Sequence, residues 1–324
     1  MSNTQTGTGR PLVDANDLGL LCVVVIWGLN LAVVKFALGE MLPLAFNAAR
    51  FGLATIMLLA LLRRQGESLK MSRRDLILLI VAGFLGHTAY QLFFIEGIAR
   101  TTASHAALIF GISPVVVALL SMAVGHERIR ASGWIGAALA LAGVYVIMAG
   151  KAPSGGTPPS LTGDLFVLVA AISWCAYTVM ARPLLARHSP LKVTTVSMSW
   201  GVLLMLPLCA PQVIRQPWGD LSPGIWLAMG YSCVFALVVA YILWYRSVKQ
   251  VGNMKTAIYS NLVPVTGTLA GWLFLGERLY PALGLGAAAI FGGIALTKMN
   301  TAADAPVADR SAPDEIVGDL GEEF

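Results

Sequence analysis

Ten apolar runs, each about twenty residues long, constrain the fold of this chain more than any other feature. A run of about 20 apolar residues is long enough, as an α-helix, to cross the hydrocarbon core of a bilayer. Because these runs occupy most of the 324 residues, we expect no separate soluble domain between them. The predicted spans cover residues 18–38, 44–62, 76–99, 102–124, 131–149, 163–181, 192–213, 223–246, 254–275 and 281–299.

The composition agrees with a lipid environment. Hydrophobic residues make up 57% of the chain and charged residues 12%, and the charged share is about half that of a soluble domain. A water-soluble protein of this size needs more charge to cover its surface, which excludes an ordinary soluble enzyme. We therefore expect an all-α polytopic membrane protein, with the lipid bilayer as its partner.

The 22 Lys and Arg residues lie in short clusters between the apolar runs, which is typical of membrane topology and not of nucleic-acid binding. With the N-terminus in the cytoplasm, the inner connecting segments hold most of this positive charge, as the positive-inside rule requires. An even number of spans returns the chain to the same side. The sequence therefore predicts that both termini are cytoplasmic.

The chain contains an internal repeat at an offset of 150 residues. Residues 104–148 align without a gap with residues 254–298, and each copy has an apolar helix with a central proline that ends in a Glu-Arg pair. Five spans per copy is an odd number, so two copies in sequence cross the membrane in opposite orientations. Inverted repeats of this kind are typical of transporters with a substrate site near the midplane. We therefore predict ten transmembrane helices arranged as two inverted five-helix repeats.

This repeat divides the chain into five parts. They are a polar N-terminal segment (1–17), a first five-helix repeat (18–150), a linker (151–162), a second five-helix repeat (163–299) and a disordered acidic tail (300–324).

The last predicted helix of each repeat contains a stretch of small residues. Because packing in lipid relies on small residues, we expect helix backbones to approach closely there.

Three features together resemble the EamA-type branch of the drug/metabolite transporter superfamily, which includes bacterial amino-acid exporters. They are the duplicated five-span unit, a tryptophan early in each half (VVIWGLNLAVVK and AISWCAYTVMAR), and the paired segments SPVVVALLSMAVGHER and VPVTGTLAGWLFLGER. The resemblance covers roughly residues 18–299. It implies a basket of ten helices in the bacterial inner membrane, with both termini in the cytoplasm. It also implies that small metabolites, often amino acids, leave through a central cavity.

Polar side chains inside lipid are costly and usually face the interior of a helix bundle. The third span carries His87, Tyr90 and Gln91, which share one helix face at spacings of three and four residues. We interpret this stripe as the wall of a cavity, with hydrogen bonding between packed helices as the alternative. His87 is also a candidate proton carrier, so proton coupling and facilitated diffusion both stay open.

Aromatic, hydroxyl and amide side chains in other spans are further candidates for substrate binding. Aromatic rings can stack on an apolar or aromatic part of a substrate, and core packing is the alternative role. These candidates are Trp27 and Asn30 in the first span, Trp174 and Tyr177 in the sixth, Tyr241 in the eighth, and Tyr259, Ser260 and Asn261 in the ninth.

Two prolines and one charged pair complete the candidate residues. Pro114 and Pro264 lie at equivalent positions within spans, and each leaves the carbonyl four residues earlier without its helical partner. We expect them to act as hinges or to expose a carbonyl to substrate, with a fixed kink as the alternative. Arg50 and Glu96 lie at similar depths in the second and third spans. We predict that they form an ion pair, and the alternative is that Arg50 attracts a substrate carboxylate.

The sequence predicts no catalytic residues, no metal site and no cofactor. The four Cys residues lack metal-binding spacing, and no phosphate-binding G-x-x-x-x-G-K-[ST] loop occurs. We therefore expect a transporter and not an enzyme. Its expected substrates are small zwitterionic metabolites, above all amino acids with apolar or aromatic side chains, exported by alternating access. Export of a nucleoside, a purine or a drug-like compound on the same fold is the alternative. The oligomeric state and the role of the acidic tail stay open.

Overall fold

A computed structural model of the chain describes residues 15–123, 131–150, 159–260 and 262–301. Within these ranges helices follow one another with short connections, so the predicted all-α class is confirmed there. Two π-helical segments, Phe84–Ala89 and Ser232–Val239, interrupt the third long helix of each half. The α-helices are α1 (Ala15–Ala37), α2 (Pro43–Arg64), α3 (Arg73–Gly83), α4 (Tyr90–Arg100), α5 (Ala103–Phe110), α6 (Ser113–Ala123), α7 (Ala131–Ala149), α8 (Leu161–Leu185), α9 (Pro190–Arg215), α10 (Pro223–Tyr231), α11 (Ala240–Ser260), α12 (Val263–Leu275) and α13 (Pro281–Thr301).

Seven helical stretches in the described part of the chain are long and apolar enough to cross a membrane. Three further apolar helices are shorter, at Gly133–Ala149, Val263–Leu275 and Pro281–Leu296. The seven stretches are Asn16–Ala37, Pro43–Arg64, Arg73–Arg100, Ala103–Leu120, Leu161–Leu185, Pro190–Arg215 and Pro223–Gln250. The chain is thus multi-pass, while ten complete crossings stay a prediction.

The predicted boundary between the eighth and ninth spans is wrong. We expected a turn between residues 246 and 254, but α11 continues without a break to Ser260, and α12 begins at Val263. This stretch contains no proline and one glycine, Gly252, and a single glycine inside a helix costs only about 1 kcal/mol. The predicted site residues Tyr259 and Ser260 therefore lie at the end of α11 and not within a ninth span.

Hydroxyl side chains mark where several helices begin. Ser72, Thr102, Ser160 and Ser189 each accept a hydrogen bond, at 3.0–3.1 Å, from the backbone N–H three residues later. The first N–H groups of a helix have no partner within the helix, so such a cap stabilises the start by about 1 kcal/mol. These caps place α3, α5, α8 and α9.

Helices of the first half pack in pairs against helices of the second half. α1 lies against α12, α2 against α9, α4 against α8 and α7 against α13. Small residues allow the last of these contacts: a Cβ added at Gly143 would lie 2.7 Å from the carbonyl oxygen of Gly286, and one at Gly293 2.4 Å from that of Gly136. The predicted close approach of helix backbones at these small residues is therefore confirmed, and the structure shows that the two small-residue helices are each other's partners.

The two predicted hinge prolines lie at the starts of helices. Pro114 is the second residue of α6 and Pro264 the second residue of α12, where a missing N–H has no cost. The prediction that each proline lies within one continuous helix is therefore wrong, because the break comes before it. The carbonyl of Phe110, expected to lack a partner, accepts a 2.6 Å hydrogen bond from the Ser113 hydroxyl.

Candidate functional site

A cavity of about 140 Å³ lies between the two halves of the chain, which is room for a small molecule and not only for one or two waters. Its lining includes nine residues singled out in the sequence: Trp27, Asn30, Arg50, Tyr90, Gln91, Pro114, Trp174, Tyr241 and Pro264. Eleven further lining residues were not predicted from the sequence: Leu31, Phe94, Phe110, Ser113, Val117, Thr178, Ala236, Leu237, Trp244, Val248 and Val263.

Aromatic rings from both halves form one cluster around this cavity. The ring centroid of Trp27 lies 5.8 Å from that of Trp174, 5.9 Å from that of Tyr241 and 5.1 Å from that of Trp244. Tyr90 extends the cluster, with its ring 5.3 Å from that of Trp174. Such tilted and edge-to-face pairs are each worth about 0.5–1.5 kcal/mol beyond the area that they bury. The cluster therefore gives the cavity a rigid, largely apolar wall.

The π-helical segment Ser232–Val239 helps to position Trp27. The indole Nε1 of Trp27 donates a 3.0 Å hydrogen bond to the carbonyl oxygen of Ala236, in this segment. A π turn changes the i→i−4 hydrogen-bond pattern of a helix, and such segments are frequent at functional sites. Here the acceptor for Trp27 comes from the opposite half of the chain.

Arg50 is the charged side chain of the cavity wall, and it is only 1% exposed. Its Nε and Nη2 donate to the Asn47 side-chain oxygen at 3.0 and 2.8 Å, and Nη2 also donates to Gln91 Oε1 at 2.8 Å. Its Nη1 donates to the Ser232 hydroxyl at 2.9 Å. All of these acceptors are neutral. The rings of Phe46, Phe51 and Phe94 surround the guanidinium at 5.2–5.7 Å.

The predicted ion pair between Arg50 and Glu96 is wrong. Glu96 instead pairs with Arg100, one helical turn further along α4. Equal depth in the membrane did not decide the pairing, because Arg100 shares the helix face of Glu96 at a spacing of four residues. Arg50 is therefore a buried cation for which the described residues provide no carboxylate.

The predicted stripe of His87, Tyr90 and Gln91 divides into two parts. Tyr90 and Gln91 line the cavity, whereas His87 packs behind it, with Nε2 3.2 Å from the Ser197 hydroxyl of α9. Tyr177 lies beside His87, and its hydroxyl is 3.1 Å from the same Ser197 oxygen. The reason is the π segment Phe84–Ala89, which has more residues per turn than an α-helix and so changes the faces of its neighbours.

Of the three candidates near the end of α11, the structure describes the side chain of Tyr259, which does not line the cavity. The hydroxyl of Tyr259 donates a 2.7 Å hydrogen bond to Asp17 near the start of α1. Ser260 is the last residue of α11, and its side chain is not described. Asn261 lies outside the described residues, as do the first-half pair Glu127 and Arg128.

A second buried polar cluster, which the sequence did not predict, lies near the Lys35 end of α1. His105 Nδ1 lies 3.0 Å from Asp164 Oδ2, and both side chains are 1% exposed. The Thr101 hydroxyl donates to the other Asp164 oxygen, and the Tyr280 hydroxyl contacts His105 Nε2. Lys35 Nζ donates to the carbonyl of Thr101 at 2.7 Å. These groups are far apart in sequence, so no local spacing indicated that they would meet.

Glu277 joins this region to the start of α5. Its Oε1 accepts from the Ala103 N–H at 2.7 Å, and its Oε2 accepts from the N–H and the hydroxyl of Ser104 at 2.8 and 2.6 Å. A carboxylate at a helix N-terminus is favoured by the helix dipole and by the unpaired N–H groups there. Burial and two neighbouring carboxylates raise the pKa of Tyr280, in the same loop, to about 12.

Comparisons with known proteins agree with this architecture. The model of the EamA-like transporter family matches residues 15–149 and 161–299. The uncharacterized transporter YyaM of Bacillus subtilis is 27% identical over 248 residues, which cover 76% of this chain and 81% of that protein. A probable terminal-alkyne amino-acid exporter of Streptantibioticus cattleyicolor is 28% identical over 231 residues, covering 70% of this chain and 75% of that protein. A crystal structure with 22% identity shares the fold, with a TM-score of 0.62 over 90% of this chain and 99% of the other.

Proposed function

Because this chain belongs to the EamA-like transporter family, we propose that it exports amino acids with apolar or aromatic side chains across the membrane. One observation carries the proposal: the cavity between the two halves, whose wall is mostly aromatic and apolar with a few polar groups. Small-molecule sites have this composition, because apolar groups provide affinity and a few polar groups set the orientation. The name of the Streptantibioticus cattleyicolor relative, an amino-acid exporter, supports the substrate class.

The proposed architecture is ten transmembrane helices in two inverted five-helix repeats, with both termini in the cytoplasm of a bacterial-type inner membrane. Two features support it besides the sequence repeat. Each half has a π-helical segment in its third long helix, at Phe84–Ala89 and Ser232–Val239. Each half also has a helix break just before the equivalent prolines, Pro114 and Pro264.

The proposed mechanism is alternating access, in which the two ends of the cavity open in turn. It requires contacts that hold one end closed and can be broken. We assign such a role to the Glu277 latch, which consists of Glu277, Ala103 and Ser104. The helix breaks before Pro114 and Pro264 are the proposed hinges, since these points carry no continuous helical hydrogen-bond ladder.

Uptake into proteoliposomes tests the substrate class. The purified protein is offered a panel of radiolabelled amino acids and nucleosides, with and without a proton gradient. We expect saturable uptake of phenylalanine, tryptophan or leucine. Carriage of nucleosides or purines without any amino acid would refute the proposed substrate and leave the family assignment intact. Comparing the two gradient conditions distinguishes proton-coupled transport from facilitated diffusion.

A matched pair of tryptophan variants tests the cavity itself. Trp27→Leu removes the ring that contacts Trp174, Tyr241 and Trp244, so we expect the KM for an aromatic amino acid to rise about tenfold. The control is Trp134→Leu in α7, where the side chain is 51% exposed on the outer surface. An equal effect of both changes would show that the aromatic cluster has no special role in transport.

A further inference from the structure

The central cavity contains a buried positive charge that no anion balances within the described part of the chain. The contacts of Arg50 are to the neutral side chains of Asn47, Gln91 and Ser232. No Asp or Glu is among the described residues that line the cavity. Removing a charge from water is expensive unless an opposite charge accompanies it. The field of Arg50 therefore favours an anionic group inside the cavity and opposes a second cation.

The guanidinium also retains hydrogen-bonding capacity. Arginine has five N–H donors, and the hydrogen bonds to Asn47, Gln91 and Ser232 occupy one on Nε, two on Nη2 and one on Nη1. The second Nη1 hydrogen has no partner among the described residues. Trp244 also lines the cavity, and its buried Nε1 has no hydrogen-bond partner among the described residues. A carboxylate has the charge and the two oxygens to accept from such donors.

Asn30 carries a hydrogen-bond acceptor, its side-chain oxygen Oδ1, for which the described part of the chain provides no donor. It lines the same cavity, is 8% exposed, and its Oδ1 has no donor among the described residues. A buried acceptor without a donor destabilises the structure, so this oxygen favours a ligand that brings N–H groups. An ammonium carries three such donors and no acceptor.

We propose that Arg50 binds the carboxylate of the substrate and that Asn30 Oδ1 accepts a hydrogen bond from its ammonium. The cavity then recognises the zwitterionic head of an amino acid, while the aromatic cluster around Trp27 contacts the side chain. This inference rests on the proposed function, since it names the groups that select the substrate. It also predicts that cationic amines without a carboxylate are excluded, because Arg50 repels them.

Binding of three matched compounds to the wild-type protein tests this assignment without any mutation. Phenylalanine has both charged groups, phenethylamine lacks the carboxylate and 3-phenylpropionate lacks the ammonium. Isothermal titration calorimetry in detergent measures each Kd. Hydrogen bonds to charged groups contribute enough for about a tenfold to a hundredfold change in Kd. We therefore expect phenethylamine and 3-phenylpropionate each to bind at least tenfold more weakly than phenylalanine.

The outcomes separate this inference from the proposed function. Phenethylamine binding within about threefold of phenylalanine would overturn the role of Arg50 but leave an amino-acid transporter. The same result for 3-phenylpropionate would overturn the role of Asn30. Failure of all three compounds to bind, with no uptake of any amino acid in the panel, would overturn the proposed function and this inference together.

Substitutions of Arg50 test directly whether this side chain sets the preference for a ligand with a carboxylate. We expect Arg50→Gln to reduce the preference for phenylalanine over phenethylamine to within about threefold, while Arg50→Lys retains part of it because the charge stays. The control is Arg100→Gln, which removes an exposed cation outside the cavity lining and leaves the preference unchanged. A purely structural role of Arg50 would change both affinities equally and leave their ratio intact. If Arg50→Gln does not fold, the wild-type ligand series still decides.

Discussion

Three hydrogen-bond donors at the start of α5 converge on the carboxylate of Glu277. Glu277→Gln leaves one side-chain oxygen for three donors and turns an NH₂ group toward the others. A hydrogen bond to a charged group contributes about 1.5–3 kcal/mol, and the charge–dipole interaction at the start of α5 adds about 0.3–1 kcal/mol. The loss of about one such bond and of the charge therefore lowers the free energy of unfolding by about 2–4 kcal/mol.

Reversible unfolding by SDS in mixed micelles measures this change. The matched control is Glu40→Gln, since Glu40 also accepts from a serine N–H and hydroxyl, those of Ser222, but is exposed. We expect the control to cost at most about 1 kcal/mol, as exposed charged contacts do. A double-mutant cycle with Ser104→Ala is expected to give a coupling of about 1 kcal/mol with Glu277. The reasoning is refuted if Glu277→Gln costs no more than Glu40→Gln, or if the cycle is additive.

Two further predictions concern packing and pH. Gly28→Val is expected to lower the free energy of unfolding by about 1–3 kcal/mol more than Gly52→Val. A Cβ at Gly28 would lie 2.0 Å from Thr266 Oγ1, whereas a Cβ at Gly52 would have nothing within 4 Å. Equal losses in the SDS titration would contradict the contact of α1 with α12. The folded-state pKa of Tyr280 is about 12 against an ordinary 10.0, so its contribution to stability is complete below pH 10 and is lost as pH rises through 12. The difference in unfolding free energy between wild type and Tyr280→Phe should therefore shrink from pH 10 to pH 12, and a constant difference would contradict the burial of this hydroxyl.

Local properties of the chain were enough to find the helices and several residues of the cavity wall. Trp27 and Trp174 are predicted site residues because aromatic rings can stack on a substrate, and Tyr90 because polar groups within spans tend to face the bundle interior. All three line the cavity. Whether they bind substrate stays a prediction. The helix boundary near residue 250 was wrong because a short polar stretch without proline does not end a helix by itself.

Contacts between segments that are distant in the chain could not be predicted from the sequence. Asp164 and His105 form their buried pair from separate helices, and nothing within either segment indicated the other. The predicted ion pair of Arg50 with Glu96 is wrong because similar depth in the membrane does not specify the direction in which a side chain points. The prediction that His87 lines the cavity assumed regular α-helical spacing. The π segment Phe84–Ala89 changes that spacing and has no recognised signal in the sequence.

The membrane environment, the positions of most helices and the small-residue faces could be predicted from the amino-acid sequence alone. These follow from length, hydropathy and residue size, which act locally and are nearly independent of the partner helix. Which helix faces meet is visible only in the folded molecule, where Arg50 and Asn30 share one cavity with rings from both halves. The rotation of each helix about its axis is set by packing against helices that are distant in sequence, as where α7 meets α13 through Gly143 and Gly286.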